Sequence, residues 1–266
     1  MDLKTSQRIN LFGHNVRAAL GIAGRKSIGL TKVGDIYRLR SEGTDISVPS
    51  AVRWRMYRFG LAQRLKHLAR DYGFDQFGGN VDENSTVVDI GANIGEFSMV
   101  AAQRGARVFS IDADPTIFKC LSENFTNAEN PTLINCALWN EEAELTFFSE
   151  PRRADSSFFN PGSFEDANEI VVQAKPLDSV LSEFNLTQID YLKCDAEGAE
   201  PEVLRGAKQT LAITKTIAID TGPEREGERT HKACEEILIA AGFKVEHQNI
   251  KGRAMTFGTR WEENHA

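Results

Sequence analysis

The residue types with the clearest chemical meaning fall in two blocks of the 266-residue chain, 85–115 and 189–207. The first reads STVVDIGANIGEFSMVAAQRGARVFSIDADP. In it Gly91 and Gly95 bracket a turn that follows Asp89, and Asp112 lies 21 positions after Gly91. A residue without Cβ lets backbone approach a ligand closely, and an acid at a strand end can hold a ribose through its two hydroxyls. The second block, IDYLKCDAEGAEPEVLRGA, brings together Asp195, Glu197 and Glu200. Such carboxylates can align a nucleophile or take its proton, and a positioned base contributes roughly 10²–10⁴-fold to a rate.

These residues need a scaffold, and the surrounding pattern supplies one. Residues 86–90 are a short β-branched apolar run, the composition of a strand buried on both faces. Phe97, Val100 and Ala101 mark one apolar helix face, and 107–111 read as the next strand. In an open α/β sheet, ligands sit at the carboxyl ends of strands, near the turn into the first helix. The turn is Gly91-Ala92-Asn93-Ile94-Gly95, with Asn93 where a dinucleotide fingerprint needs its middle glycine, and no G-K-[ST] follows. Both a nicotinamide oxidoreductase and a P-loop are disfavoured. Asp89 would repel a pyrophosphate yet suits an amino or cationic group, and S-adenosylmethionine (SAM) carries an ammonium and a sulfonium. The plain alternative, a turn that only joins strand to helix, leaves the acids at both strand ends unexplained.

The rest of the chain extends the alternation. Asp114 reads as an N-cap with Pro115 at the first helical position, and Phe118, Leu121 and Phe125 as that helix's buried face. Residues 132–138 read as the third strand and 144–148 as an extra one. The aperiodic stretch 150–168 is a functional lid or a surface loop; Arg152-Arg153 and Ser156-Ser157 in it are candidates to touch an acceptor. A strand at 170–174 and a helix at 177–184 lead to strand four at 189–194. Pro201 opens the following helix, and strand five (215–221) ends at Asp220. A helix over 230–241 stops at Gly242, and 244–247 with 254–258 form a closing antiparallel hairpin. The prediction is an α/β, doubly wound, mostly parallel seven-stranded sheet, Rossmann-like, with a terminal antiparallel strand. Asp195 and Asp220 would end adjacent strands and leave room for Mg²⁺, although a metal-free site in which Asp220 orders 221–228 is the preferred expectation. His231 is a further base candidate.

Charge is unevenly distributed. The net −7 divides into +8 over residues 1–80 and −15 over the remainder. The basic third suits an anionic partner, but a positive segment packing beside an acidic catalytic domain explains it better, and nucleic acid is not favoured. Trp54, Tyr57, Leu61, Leu65, Leu68 and Tyr72 recur at steps of three and four, one helical stripe with the arginines on the other face. Residues 35–40 and 45–48 flank the turn Ser41-Glu42-Gly43-Thr44 as a hairpin, and 1–30 carry no strong pattern. The expected organisation is an N-terminal α/β cap over 1–80, hinged at Gly78-Gly79-Asn80, and a catalytic domain over 81–266. Four separated cysteines read as free thiols in a reducing cytoplasm. No apolar run reaches the ~20 residues of a membrane span. A homo-oligomer is left open.

The run V-V-D-I-G-A-N-I-G resembles motif I of class I SAM-dependent methyltransferases. D-x-E-G-x-E followed by L-x-G-A narrows this to a resemblance to the FkbM type, mostly associated with O-methylation of natural products and sugars. I-D-A-D-P, Ser156-Ser157, Leu177-Asp178 and I-D-Y-L-K-C-D-A-E-G-A-E agree in order. Asp112 departs from the Glu of many relatives, Ala113 from a common Pro, and the basic N-terminal third has no counterpart. The resemblance implies SAM held by Asp89, Gly91, Ala92, Asn93, Gly95, Asp112 and Ala113, with Ala137 and Leu138 along the adenine, and S-adenosylhomocysteine (SAH) as product. Asp195 and Glu197 would stand beside a small-molecule hydroxyl. A non-catalytic SAM- or SAH-binding regulatory protein and an N-methyltransferase are the alternatives.

Overall fold

Short β-branched runs alternate with glycine-stopped helices along most of the chain, and the three-dimensional structure follows that alternation. The computed structural model describes residues 5–77, 81–126, 128–152, 156–159, 168–225 and 227–260. The hinge Gly78-Gly79-Asn80 and Arg153 lie outside them.

The N-terminal third begins with helix α1 (Thr5–Ala19), followed by a three-stranded antiparallel sheet of β1 (Ile28–Val33), β2 (Ile36–Ser41) and β3 (Thr44–Val48). The hairpin expected around Ser41-Glu42-Gly43-Thr44 is β2–β3; α1 and β1 are additional. The stretch expected as one helix over 50–72 is two. A 3-10 turn (Ala51–Tyr57) and helix α2 (Leu61–Asp71) meet at Gly60, whose φ of 92° breaks the helix. Helix α3 (Phe74–Phe77) ends the segment.

The large sheet is built from β4 (Thr86–Ile90), β5 (Arg107–Asp112), β6 (Thr132–Asn135), β10 (Ile189–Cys194), β11 (Thr214–Asp220), β12 (Lys244–Ile250) and β13 (Arg253–Thr259). A second small sheet holds β7 (Ala137–Leu138), β8 (Ala143–Ser149) and β9 (Asn168–Lys175). The helices are α4 (Glu96–Gln103), α5 (Pro115–Asn124), α6 (Leu177–Leu181), α7 (Glu200–Arg205), α8 (Lys208–Ala212) and α9 (His231–Ala240). Strand order in the large sheet is β12-β13-β11-β10-β4-β5-β6, parallel except for β13, which is antiparallel to both neighbours. The order turns at β4, where β10 lies on one side and β5 on the other. That is the crevice in which doubly wound sheets bind ligands.

Two expectations need correction. The third strand does not run to Leu138: the chain leaves the large sheet at Cys136, and Ala137 and Leu138 pair instead with Ala174 and Lys175 of β9. Helix α5 buries Ile117, Cys120 and Leu121 rather than Phe118 and Phe125, because it packs on the N-terminal sheet as well as on the large one. Asp114 does cap it, accepting from the N–H of Thr116 at 2.8 Å and of Ile117 at 3.1 Å. Asp178 anchors the start of α8 in the same way, accepting from the N–H groups of Gln209 and Thr210.

Three apolar clusters hold the layers together. One lies between the large sheet and α6–α9 and includes Ile90, Leu192, Val203, Leu204 and Leu238. The opposite face is covered by α2 and α4 through Leu65, Leu68, Phe97 and Ala101. A third joins β1–β3 and the 3-10 turn to Ile94, Ile117 and Cys120. Between them stands a polar tie. Arg64 donates two hydrogen bonds to Glu96, at 2.8 and 2.9 Å, and the Tyr57 hydroxyl donates a third at 2.7 Å. Burial opposes ionisation of Glu96, but Arg64 holds its carboxyl below the ordinary value. Among the described residues no helix is long and apolar enough to cross a membrane, and all four cysteines are free thiols.

The tie has a measurable consequence. Arg64→Met strands a buried carboxylate and should lower the unfolding free energy by about 3–5 kcal/mol. The double substitution Arg64→Met/Glu96→Leu should recover most of that loss in urea denaturation; equal losses would show that the pair is not coupled.

Candidate functional site

A cavity of about 330 Å³ opens at the carboxyl ends of β4, β5 and β10. Its floor is the glycine turn. Gly91 has φ 65°, and a Cβ there would collide with the carbonyl oxygen of Asp195, so glycine is required by both conformation and space. Asn93 also has positive φ, 53°. Its side-chain oxygen accepts from the N–H of Ile94 at 2.9 Å, and its own N–H donates to Asp112 Oδ2 at 2.8 Å. Asp112 Oδ1 accepts from the N–H of Asp114 at 3.0 Å. Burial raises the Asp112 carboxyl to about 7 despite these two donors. Each oxygen still has a lone pair for a ligand hydroxyl.

Beneath the turn lies a buried ion pair. Lys193 Nζ is 3.1 Å from Asp89 Oδ1 and donates to the carbonyls of Ile90 and Gly91 at 3.1 and 2.7 Å. Asp89 Oδ2 accepts from the Ser98 hydroxyl at 2.6 Å. Burial works against the ammonium, yet Asp89 and Asp195 hold the Lys193 pKa above its ordinary value.

The acid end of the cavity is a network. The Tyr72 hydroxyl donates to Asp195 Oδ2 and accepts from Arg253 Nη1. That same nitrogen reaches Asp195 Oδ2 at 3.4 Å and Asp220 Oδ2 at 2.9 Å. The Tyr72 ring is within reach of two cations, with Lys193 Nζ 5.0 Å and the Arg253 guanidinium 4.9 Å from its centroid. Burial alone would raise the Asp195 pKa; Lys193 and Arg253 reverse this and hold it below the usual carboxylate range. Asp220, buried and beside Asp195, is instead pushed up to about 7. The guanidinium of Arg253 thus stands between the two acids that left room for Mg²⁺, and no cluster of three metal-ligating side chains occurs among the described residues. Asp220 Oδ1 accepts from the N–H of Gly222 at 3.1 Å, which orders the following loop.

The loop after β10 is shaped by Glu200. Its Oε1 accepts from the N–H groups of Ala196 and Gly198, both at 3.0 Å, and its Oε2 from the Thr230 hydroxyl at 3.0 Å. Burial pushes its carboxyl up to about 8. Glu200 therefore faces the loop backbone, while Glu197, with φ 49°, reaches the cavity wall. The Ser157 hydroxyl donates to the Glu197 carbonyl at 2.6 Å, and the Ser156 hydroxyl to Asp114 Oδ2 at 2.8 Å. The serine pair thereby ties residues 156–157 to the site.

Of the residues singled out in the sequence, Gly91, Ala92, Asn93, Asp112, Ala113, Leu138, Ser156, Asp195 and Glu197 line the cavity. Asp89, Gly95 and Ala137 are not on its wall: Asp89 faces Lys193 and Ser98, Gly95 is the N-cap of α4, and Ala137 is buried in β7. Arg53, Arg64, Tyr72, Glu96, Lys193 and Arg253 also line it and were not foreseen. Arg53 and Arg64 correct the expectation that the arginines of 50–72 decorate a solvent face. Their helical stripe was visible; their partners Asn93 and Glu96 lie 40 and 32 positions away.

The chain matches the family profile Methyltransferase FkbM domain over residues 89–245. It is 27% identical over 216 residues to the methyltransferase sdnD of Sordaria araneosa, covering 68% of this chain and 81% of that protein. It is 24% identical over 170 residues to the 2-O-methyltransferase NoeI of Sinorhizobium fredii, covering 57% and 70%. Matches to two further curated relatives span 10% and 59% of those proteins. Among solved structures, the magnesium protoporphyrin IX methyltransferase of Synechocystis PCC 6803 with bound SAM aligns with 78% of this chain and 83% of its own. The identity is 14% and the TM-score 0.44.

Proposed function

The chain belongs to the FkbM methyltransferase family, and from that membership we propose that it O-methylates a hydroxyl of a small sugar or secondary metabolite. It is a SAM-dependent methyltransferase enzyme. The observation that carries the acceptor class is a carboxylate, Asp195, held ionised on the cavity wall by Lys193 and Arg253. The relative named a 2-O-methyltransferase supports the same reading.

The cavity suits the cofactor. Ala113, Cys136 and Leu138 offer an apolar slot at one end, Asp112 an acceptor for two ribose hydroxyls, and Gly91 backbone without a side chain. SAM, when bound, supplies an electrophilic methyl group on a sulfonium. In our reading Asp195 accepts a hydrogen bond from the acceptor hydroxyl and aims its oxygen at that carbon. Asp195 would take the hydroxyl proton as that oxygen receives the methyl group, and SAH would leave as the product. A carboxylate of low pKa suffices, because that proton becomes as acidic as an oxonium's when the new bond forms. Tyr72 and Arg253 orient the carboxylate, Glu197 stands next along the wall, and alignment contributes the larger share of the rate. Residues 1–80 act as a cap that closes one wall, and 81–266 carry the catalytic sheet.

Two outcomes test this assignment. Asp195→Asn should lower turnover of a sugar-hydroxyl acceptor by roughly 10²–10⁴-fold with SAH affinity, measured calorimetrically, within a few-fold of the original; full turnover would sink the role. Ionised Asp112 accepts from both ribose hydroxyls, whereas protonation turns one of its oxygens into a donor, and its pKa is raised to about 7. Affinity for SAH should therefore be highest above that value and fall on the order of tenfold from pH 8 to pH 6. Asp112→Asn should bind weakly and lose that pH dependence, which separates Asp112 from Asp220 and Glu200.

A further inference from the structure

We propose that Arg53 binds the carboxylate of the cofactor's amino-acid moiety, an assignment that rests on the SAM site described above. Arg53 is 3% exposed, although it comes from the 3-10 turn of the N-terminal segment, outside the residues that match the family profile. Arg53 is one of the residues that line the cavity. Nη1 donates to Asn93 Oδ1 at 2.9 Å, a neutral partner. Nε is buried and has no hydrogen-bond partner among the described residues.

The surrounding charges do not balance it. Glu96, the carboxylate on this side of the cavity, is committed to both donors of Arg64 and to the Tyr57 hydroxyl. Asp112 faces the N–H groups of Asn93 and Asp114. Two guanidinium groups therefore share one carboxylate, and a second buried cation with no hydrogen-bonded anion of its own is unfavourable unless a ligand supplies one. Arginine's planar fork matches a carboxylate through two parallel N–H bonds. With Nη1 on Asn93, a carboxylate on the Nε–Nη2 edge would give the buried Nε the partner it lacks. SAM and SAH carry a single anionic group, the amino-acid carboxylate. Asn93 joins the two ends of the argument: its N–H binds Asp112 and its side chain binds Arg53, so one ligand can reach both.

The experiment compares SAH with 5′-methylthioadenosine, which keeps the nucleoside thioether and lacks the amino-acid carboxylate. Calorimetric affinities are measured for the unsubstituted 266-residue chain, Arg53→Met and Arg53→Lys. Arg53→Met should weaken SAH binding by ten- to a hundredfold and leave methylthioadenosine binding within twofold, with Arg53→Lys intermediate for SAH. Unchanged SAH affinity in Arg53→Met would overturn the assignment, and a raised acceptor KM alongside it would place the anion on the acceptor instead. Equal losses for both ligands would also overturn it, by making Arg53 a structural residue. Failure of the unsubstituted protein to bind either ligand would overturn the SAM site itself, and this assignment with it.

Discussion

The buried pair of Lys193 and Asp89 is the constraint on which the site depends. It sits where the strand order reverses, with side chains 4% and 0% exposed. Lys193 donates to the carbonyls of Ile90 and Gly91 as the chain leaves β4. The Ile90 oxygen also accepts from the N–H of Asp195 at 3.1 Å, whereas the Gly91 oxygen lies past the parallel ladder, and an unmet buried acceptor is costly. One ammonium thus neutralises Asp89, ends the strand and sets the height of the glycine turn against Asp195. Losing either partner would leave a buried charge uncompensated, which is far worse than never having had the pair.

Around that pair the site is assembled from distant parts of the chain. Tyr72 comes from the end of α2, Asp195 from the end of β10 and Arg253 from the start of β13, and the three meet through one hydroxyl and one guanidinium nitrogen. The N-terminal segment is part of the packing as well as of the wall. Leu65 and Leu68 share a cluster with Phe97, and β1–β3 share another with Ile94 and Ile117. Its positive charge is partly explained by position: Arg53 and Arg64 face Asn93 and Glu96, in a remainder of the chain whose excess is acidic. Opposed charges at short range in a desolvated cavity interact far more strongly than at a surface.

The parts of this arrangement visible in the sequence are those set by local chemistry. The β-branched runs of β4, β5, β10 and β11, the glycine turn, the Asp114 cap and the closing hairpin each follow from residues adjacent in the chain. So does the placing of Asp112 and Asp195 at the cavity. The rest depends on partners far away. A stripe at steps of three and four fits a 3-10 turn as well as an α-helix, so Trp54 to Tyr72 concealed the break at Gly60. Arginine on such a stripe reads as solvated until Glu96 is known to face it. Tyr72 reads as core because its ring is core; only its hydroxyl does polar work. Helix α1 left little signal because Ile9, Phe12 and Val16 remain exposed, and a helix that buries almost nothing announces no face. The switch of sheets at Cys136 depends on β9, more than 30 residues later.

The measurement that bears most directly on this account is a crystal structure of the protein with SAH. The account predicts adenine against Ala113, Cys136 and Leu138, ribose hydroxyls on Asp112, and the sulfur facing Asp195, with Lys193 still beneath Gly91. SAH bound elsewhere, or bound in this cavity with its sulfur turned away from Asp195, would contradict it.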